Sequence, residues 1–215
     1  MKEQAVHKRD AERTREKLVT CAERLFVKSG YHAVGVDEIA AAANVNKRMI
    51  YVYFGSKRAL YDEVIGRIFS KIDALDLPRI EIIEDYREKL SSMLNLYFSF
   101  LSENPNFVRL LSWEKLYADK ESIKCLVTQV NRVLHHVFEL LKQGAEQGKI
   151  RPDVDIRYLA SNINSLFIGF YSNKVLSEEV WGQAFTAEQN QENIIANMIR
   201  LIFDGALVSC PPEKE

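Results

Sequence analysis

Proline occurs only five times and glycine nine times in 215 residues, so little in the chain interrupts a helix. Cysteine is scarcer still. Cys21, Cys125 and Cys210 are odd in number and far apart, which excludes a disulfide framework and any paired metal-ligand spacing. They read as free thiols in a reducing compartment, with Cys21 and Cys125 in the core and Cys210 in the tail. No apolar run approaches the roughly 18 residues of a membrane span. The opening stretch MKEQAVHKRDAERTREK is charged and lacks the apolar segment of a signal peptide. A soluble cytoplasmic protein is therefore expected. Also missing are a glycine-rich phosphate loop, a nucleophile elbow and a metal-ligand set, so no enzymatic chemistry, cofactor or metal is expected. His135 and His136 do not alter this, because adjacent helical residues point about 100° apart and cannot chelate together.

Hydrophobic residues make up 47% of the chain, enough for a substantial core. The net charge of −1 conceals an asymmetry. Residues 1–60 hold 12 Lys and Arg against 7 Asp and Glu, and the remainder holds 17 against 23. A basic N-terminal part on a mildly acidic body suggests an anionic partner at one end. A helical period recurs almost throughout and no segment alternates with period two, so the class is all-α. Leu18, Cys21, Ala22, Leu25 and Phe26 form one apolar stripe, closed by Gly30. A short alanine-rich helix, VDEIAAAANV, leads to Asn44, which tolerates the left-handed conformation of a sharp turn. Asn46 is placed to cap the next helix, which runs to about Tyr53, and Ser56 to cap a fourth, with Leu60, Val64, Ile65 and Ile68 inward. Further helices are expected around Tyr86–Leu101, Phe107–Ala118, Ile123–Leu141, Ile156–Phe170 and Gln191–Gly205, with turns at SENPN and IRPDVD.

The segment NVNKRMIYVYFGSKRALY, residues 44–61, crowds two lysines, two arginines and three tyrosines among apolar residues. Ile39, Val45, Ile50 and Phe54 have the spacing to share a core with Leu25 and Phe26. Lys47, Arg48, Tyr51 and Tyr53 then fall outside it. A helix-turn-helix inserts its second helix into the DNA major groove, N-terminal end first. Arginine can grip guanine with two hydrogen bonds, while lysine and tyrosine suit phosphate oxygens. A solvated basic face on an ordinary helical bundle would show the same pattern.

The stretch TREKLVTCAERLFVKSGYHAVGVDEIAAAANVNKRMIYVYFGSKRALYDEVI resembles the DNA-binding domain of the tetracycline-repressor (TetR) family. The phase of LF…GY…V…IA…A…V.K…IY.YF.SK..L follows the family pattern over about a quarter of the chain. The resemblance implies a three-helix DNA-binding head over residues 1–56. It also implies a larger helical domain over 57–215 that forms a homodimer and binds a small-molecule effector. Lys47, Arg48 and Met49 match the start of the family's recognition helix, Tyr51 and Tyr53 its aromatic contacts, and Lys57 its phosphate-binding lysine. Departures are visible. Val34 and Gly35 replace two hydroxyl residues, leaving the Gly35 amide as the phosphate contact. Asp37 stands where a basic residue is common. Asn44 replaces the turn glycine, Asn46 a serine cap and Arg48 a small residue, which implies a distinctive operator.

In the C-terminal half the resemblance carries only a helical layout. It places the dimer interface on about residues 156–175 and 191–207, presenting two heads to a palindromic operator. Phe107, Trp113, Tyr117, Phe167, Phe170 and Tyr171 are candidates to line an effector cavity, with Glu114, Asn131 and Asn162 as polar groups. Each aromatic could equally be core packing. The implied function is a DNA-binding transcriptional regulator, a repressor released from its operator by a small effector. The alternatives are a regulator controlled by a protein partner and, with little to support it, a helical enzyme.

Overall fold

The computed structural model describes residues 2–71, 75, 77–117, 134–186 and 190–207, with side chains from Arg9 onward. The expected helix residues Ile123, Leu126, Val127 and Val130 lie outside the described residues, as do Cys125, Asn131, Cys210 and the Tyr117 side chain. The described residues form helices α1 (Lys2–Ala33), α2 (Val36–Ala43), α3 (Arg48–Phe54), α4 (Lys57–Phe69), α5 (Leu77–Glu81), α6 (Tyr86–Glu103), α7 (Pro105–Tyr117), α8 (134–146), α9 (Ile156–Ser172), α10 (Lys174–Trp181) and α11 (Gln191–Ala206). Among them the sole extended pairing is a bridge between Ile150 and Leu207. The chain is all-α.

Compactness divides it into two units, residues 1–73 with 109–126, and residues 74–108 with 127–215. In the first unit, Leu18, Ala22 and Phe26 fall on one line of α1 at a spacing of four and are buried. Cys21 and Leu25, expected with them, flank that line and are half-buried. Ile39, Ile50, Leu60, Tyr61, Val64 and Ile65 complete this core. Val45 and Phe54, also expected inside, sit at its margin.

Gly30 interrupts α1 at φ 76° and ψ 167°, a conformation restricted to glycine. A Cβ there would lie 3.1 Å from the Trp113 ring. The indole Nε1 of Trp113 donates to the Val27 carbonyl oxygen at 3.1 Å. Beside it the Tyr61 hydroxyl donates to the buried Glu114 carboxylate, and the Tyr61 ring meets Phe26 edge-on at 4.9 Å. The later part of α7 thus braces the first unit, which local periodicity does not reveal.

In the second unit Asp85 and Asp155 cap α6 and α9 by accepting from the amides of Glu88 and Arg157. The hydroxyl of Tyr97 on α6 donates to Asn164 of α9 at 2.7 Å. Phe98 packs edge-on against Phe167 at 5.4 Å. Helix α10 and the 3₁₀ turn Gln183–Thr186 were not expected from sequence. Helix α10 contributes no buried residue, and its Val175, Leu176, Val180 and Trp181 are all exposed.

Candidate nucleic-acid interface

The turn between α2 and α3 is set by backbone chemistry. Asn44 adopts φ 54° and ψ 49° and closes α2 by donating its amide to Ala40 and Ala41 carbonyls. Asparagine tolerates this left-handed well better than most residues. Asn46 Oδ1 accepts from the Arg48 amide at 2.8 Å, so the side-chain cap expected there is present although the helix begins two residues later. At the far end Gly55 takes φ 78°, and Ser56 Oγ caps α4 by accepting from the Ala59 amide at 3.0 Å.

Ile50 is fully buried and fixes the roll of α3. At about 100° per residue, Arg48 and Val52 lie roughly opposite Ile50, with Met49 and Tyr51 on the flanks. The exposures follow. Arg48 is exposed, Val52 is 62% exposed, Tyr51 is 51% exposed and Met49 is half-buried. Tyr53 lies within about 60° of Ile50 on the same wheel. It is half-buried beside Phe54, ring centroids 6.3 Å apart, and so reaches outward less than Tyr51. Sequence reasoning passed over Val52. Its signal is the spacing of four from Arg48, which puts an apolar group beside the guanidinium on the outermost strip. Such a pair suits a guanine edge and a neighbouring thymine methyl.

The cations around this strip are not all idle. Lys47 is exposed and its ammonium lies 3.0 Å from the Asp37 carboxylate. Lys57 is half-buried, with Nζ 4.2 Å from the centre of the Tyr31 ring. That burial pushes its pKa below the ordinary lysine value. Gly35 forms the exposed N-cap of α2 in an extended conformation, with no side-chain cap.

The effector candidates divide between the two units. Trp113 and Glu114 belong to the first, committed to Val27, Gly30 and Tyr61. Phe107, Phe167, Phe170 and Tyr171 belong to the second. Phe107 is buried against Phe100 at 5.3 Å, and Phe167 is buried between Tyr97 and Phe98. Tyr171 donates its hydroxyl to the Phe98 carbonyl at 3.2 Å, and desolvation pushes its pKa up to about 12. Asn162 lines an open groove of about 350 Å³ between α9 and α11, with Tyr158, Leu166 and Leu201. None of these aromatic candidates lines that groove or two others beside α6. Among the described residues no His, Cys, Asp or Glu cluster could hold a metal, and no helix is long and apolar enough to cross a membrane.

Residues 18–64 match the family model of bacterial regulatory proteins, tetR family, and residues 87–202 match the tetracyclin repressor-like C-terminal domain. The second match alone spans more than half of the chain. The chain belongs to the TetR family. It is 26% identical over 174 residues to the transcriptional repressor NicS of Pseudomonas putida, covering 79% of this chain and 81% of NicS. It is 32% identical over 132 residues to the transcriptional activator FasR of Mycolicibacterium smegmatis, covering 61% and 60% of the two chains. Among solved structures it superposes on a Clostridium perfringens protein described as a fatty acid metabolism regulator. The TM-score there is 0.69 at 26% identity, over 90% of this chain and all of the other. This TetR-family protein is accordingly a DNA-binding transcriptional regulator, and the helix-turn-helix built on Asn44 lies within the tetR-family match over residues 18–64.

Proposed function

We propose that the chain is a repressor that holds a palindromic operator as a homodimer and releases it when a small apolar effector binds the second unit. The observation that carries the DNA reading is the outward strip of α3, Arg48 and Val52 flanked by Met49 and Tyr51, braced from behind by buried Ile50. In this reading Arg48 reads a base edge and Val52 and Met49 make apolar contacts with it. Lys47, Lys57, Tyr51, Tyr53 and the Gly35 amide hold phosphates. Repression follows the role named for NicS, a relative matched over 79% of this chain.

Dimerisation places α9 and α11 against their symmetry mates. Tyr158, Leu166 and Leu201 are 72%, 37% and 70% exposed there, an apolar surface that an isologous interface would cover. Leu201→Asp should halve the molecular mass seen by analytical ultracentrifugation at micromolar concentration. A mass unchanged by this variant would place the interface elsewhere.

The effector class follows the description of the Clostridium perfringens structure, fatty acid metabolism, and an acyl chain suits a domain with an aromatic and aliphatic interior. Effector binding shifts the dimer toward an arrangement that no longer fits the operator, by as much as its affinities for the two states differ. The test is fluorescence anisotropy on the duplex upstream of the chain's own coding sequence, titrated with palmitoyl-CoA and, separately, free palmitate. Release by either at micromolar concentration supports the reading. Tight DNA binding indifferent to both removes the acyl effector and favours control by a protein partner.

A further inference from the structure

Lys47 and Asp37 face each other across the turn of the helix-turn-helix, ammonium to carboxylate at 3.0 Å. Asp37 sits in the first turn of α2, where a carboxylate also suits the positive end of the helix dipole. Both side chains are strongly solvated, 61% exposed for Lys47 and 75% for Asp37, so the pair is open to exchange with solvent ions or with phosphate. Any phosphate that reaches Lys47 shares the ammonium with a carboxylate already in contact with it or displaces that carboxylate, and in either case Asp37 faces the polyanion. Glu38, the next residue, is also exposed but points about 100° away around α2.

We propose that Asp37 is an intramolecular competitor for DNA phosphate at Lys47, lowering the affinity of the head for any duplex without touching a base. This rests on Lys47 being a phosphate contact. Phosphate contacts dominate affinity for any duplex and carry no sequence information. Weakening one of them in each head reduces binding to every duplex and leaves the base-reading strip untouched.

The experiment compares wild type with Asp37→Asn, Glu38→Gln, Lys47→Ala and the Asp37→Asn/Lys47→Ala double variant. All are measured by anisotropy on a mixed-sequence duplex long enough for two half-sites, between about 50 and 200 mM salt. Asp37→Asn should tighten binding about threefold per head, so roughly tenfold for a dimer, the size expected for an exposed pair. The salt dependence should steepen by about one logarithmic unit per head. Glu38→Gln should give a smaller gain. In the Lys47→Ala background the effect of Asp37→Asn should shrink to that of Glu38→Gln. Weaker binding by Asp37→Asn would show the carboxylate to be a direct acceptor from DNA, for instance from cytosine N4, and would overturn the proposal. An equal gain with and without Lys47 would overturn it too, showing general repulsion. If wild type binds no duplex, the DNA-binding reading itself falls. If wild type binds and Asp37→Asn is indistinguishable from it, only the competition falls.

Discussion

Arg48→Ala should cost about 30-fold to 10⁴-fold in affinity for the operator while leaving binding to unrelated duplexes within a few-fold. Each bidentate arginine–guanine contact discriminates by about 1–3 kcal/mol, and a dimer makes the contact twice. Arg48 projects opposite buried Ile50 and packs into no core, so its removal leaves the fold of the head intact. Lys57→Ala is the informative counterpart. Its ammonium sits over the Tyr31 ring at the start of α4. Its loss should weaken all duplexes alike and flatten the salt dependence by about one unit per head. The Tyr31 ring contact adds at most a modest stability loss, which thermal denaturation separates from the DNA effect. Equal losses on operator and random DNA from both variants would contradict this division between base reading and phosphate holding.

Gly30→Ala should produce the largest loss of stability among single glycine substitutions in the first unit. Its φ of 76° with ψ of 167° lies where an L side chain is strained by about 1–3 kcal/mol. The added methyl also meets the Trp113 ring at 3.1 Å, and the ring cannot retreat freely while its Nε1 is bonded to the Val27 carbonyl. Overpacking of this kind adds about 1–3 kcal/mol. Thermal denaturation followed by circular dichroism should show a fall of roughly 5–15 °C. Gly35→Ala is the control, because a Cβ there meets nothing within 4 Å and φ is negative; it should stay within about 0.5 kcal/mol of wild type. If the two variants melt together, the brace from α7 does not hold the head.

What the sequence carried and what it did not divides along the range of the interactions. Asn44, Asn46 and Ser56 act on amides within four residues, so their conformations and caps could be read from residue type and spacing alone. Ile39, Ile50 and Leu60 are buried as the helical period requires. The sequence places Trp113 among the effector-lining candidates, but its indole is bonded to Val27, 86 residues earlier in the chain, and no local pattern encodes that pairing. The same holds for Glu114, whose partner is Tyr61, 53 residues away. The Lys47–Asp37 contact was hidden for another reason. The sequence marks the two residues separately, one as a cation for DNA and the other as a departure from the family pattern. Only the αL turn at Asn44 brings the two side chains face to face. Helix α10 is eight residues long and its four apolar side chains are exposed, so it joins no stripe that a core demands.

If α3 offers its outer strip to a duplex, hydroxyl-radical footprinting on the upstream intergenic DNA should separate wild type from Arg48→Ala. Wild type should give two protected patches centred one helical turn or a whole multiple of it apart, on a palindrome, and both should disappear in the variant at the same protein concentration. An identical footprint for Arg48→Ala and wild type, or no protection by wild type at low salt, would contradict it.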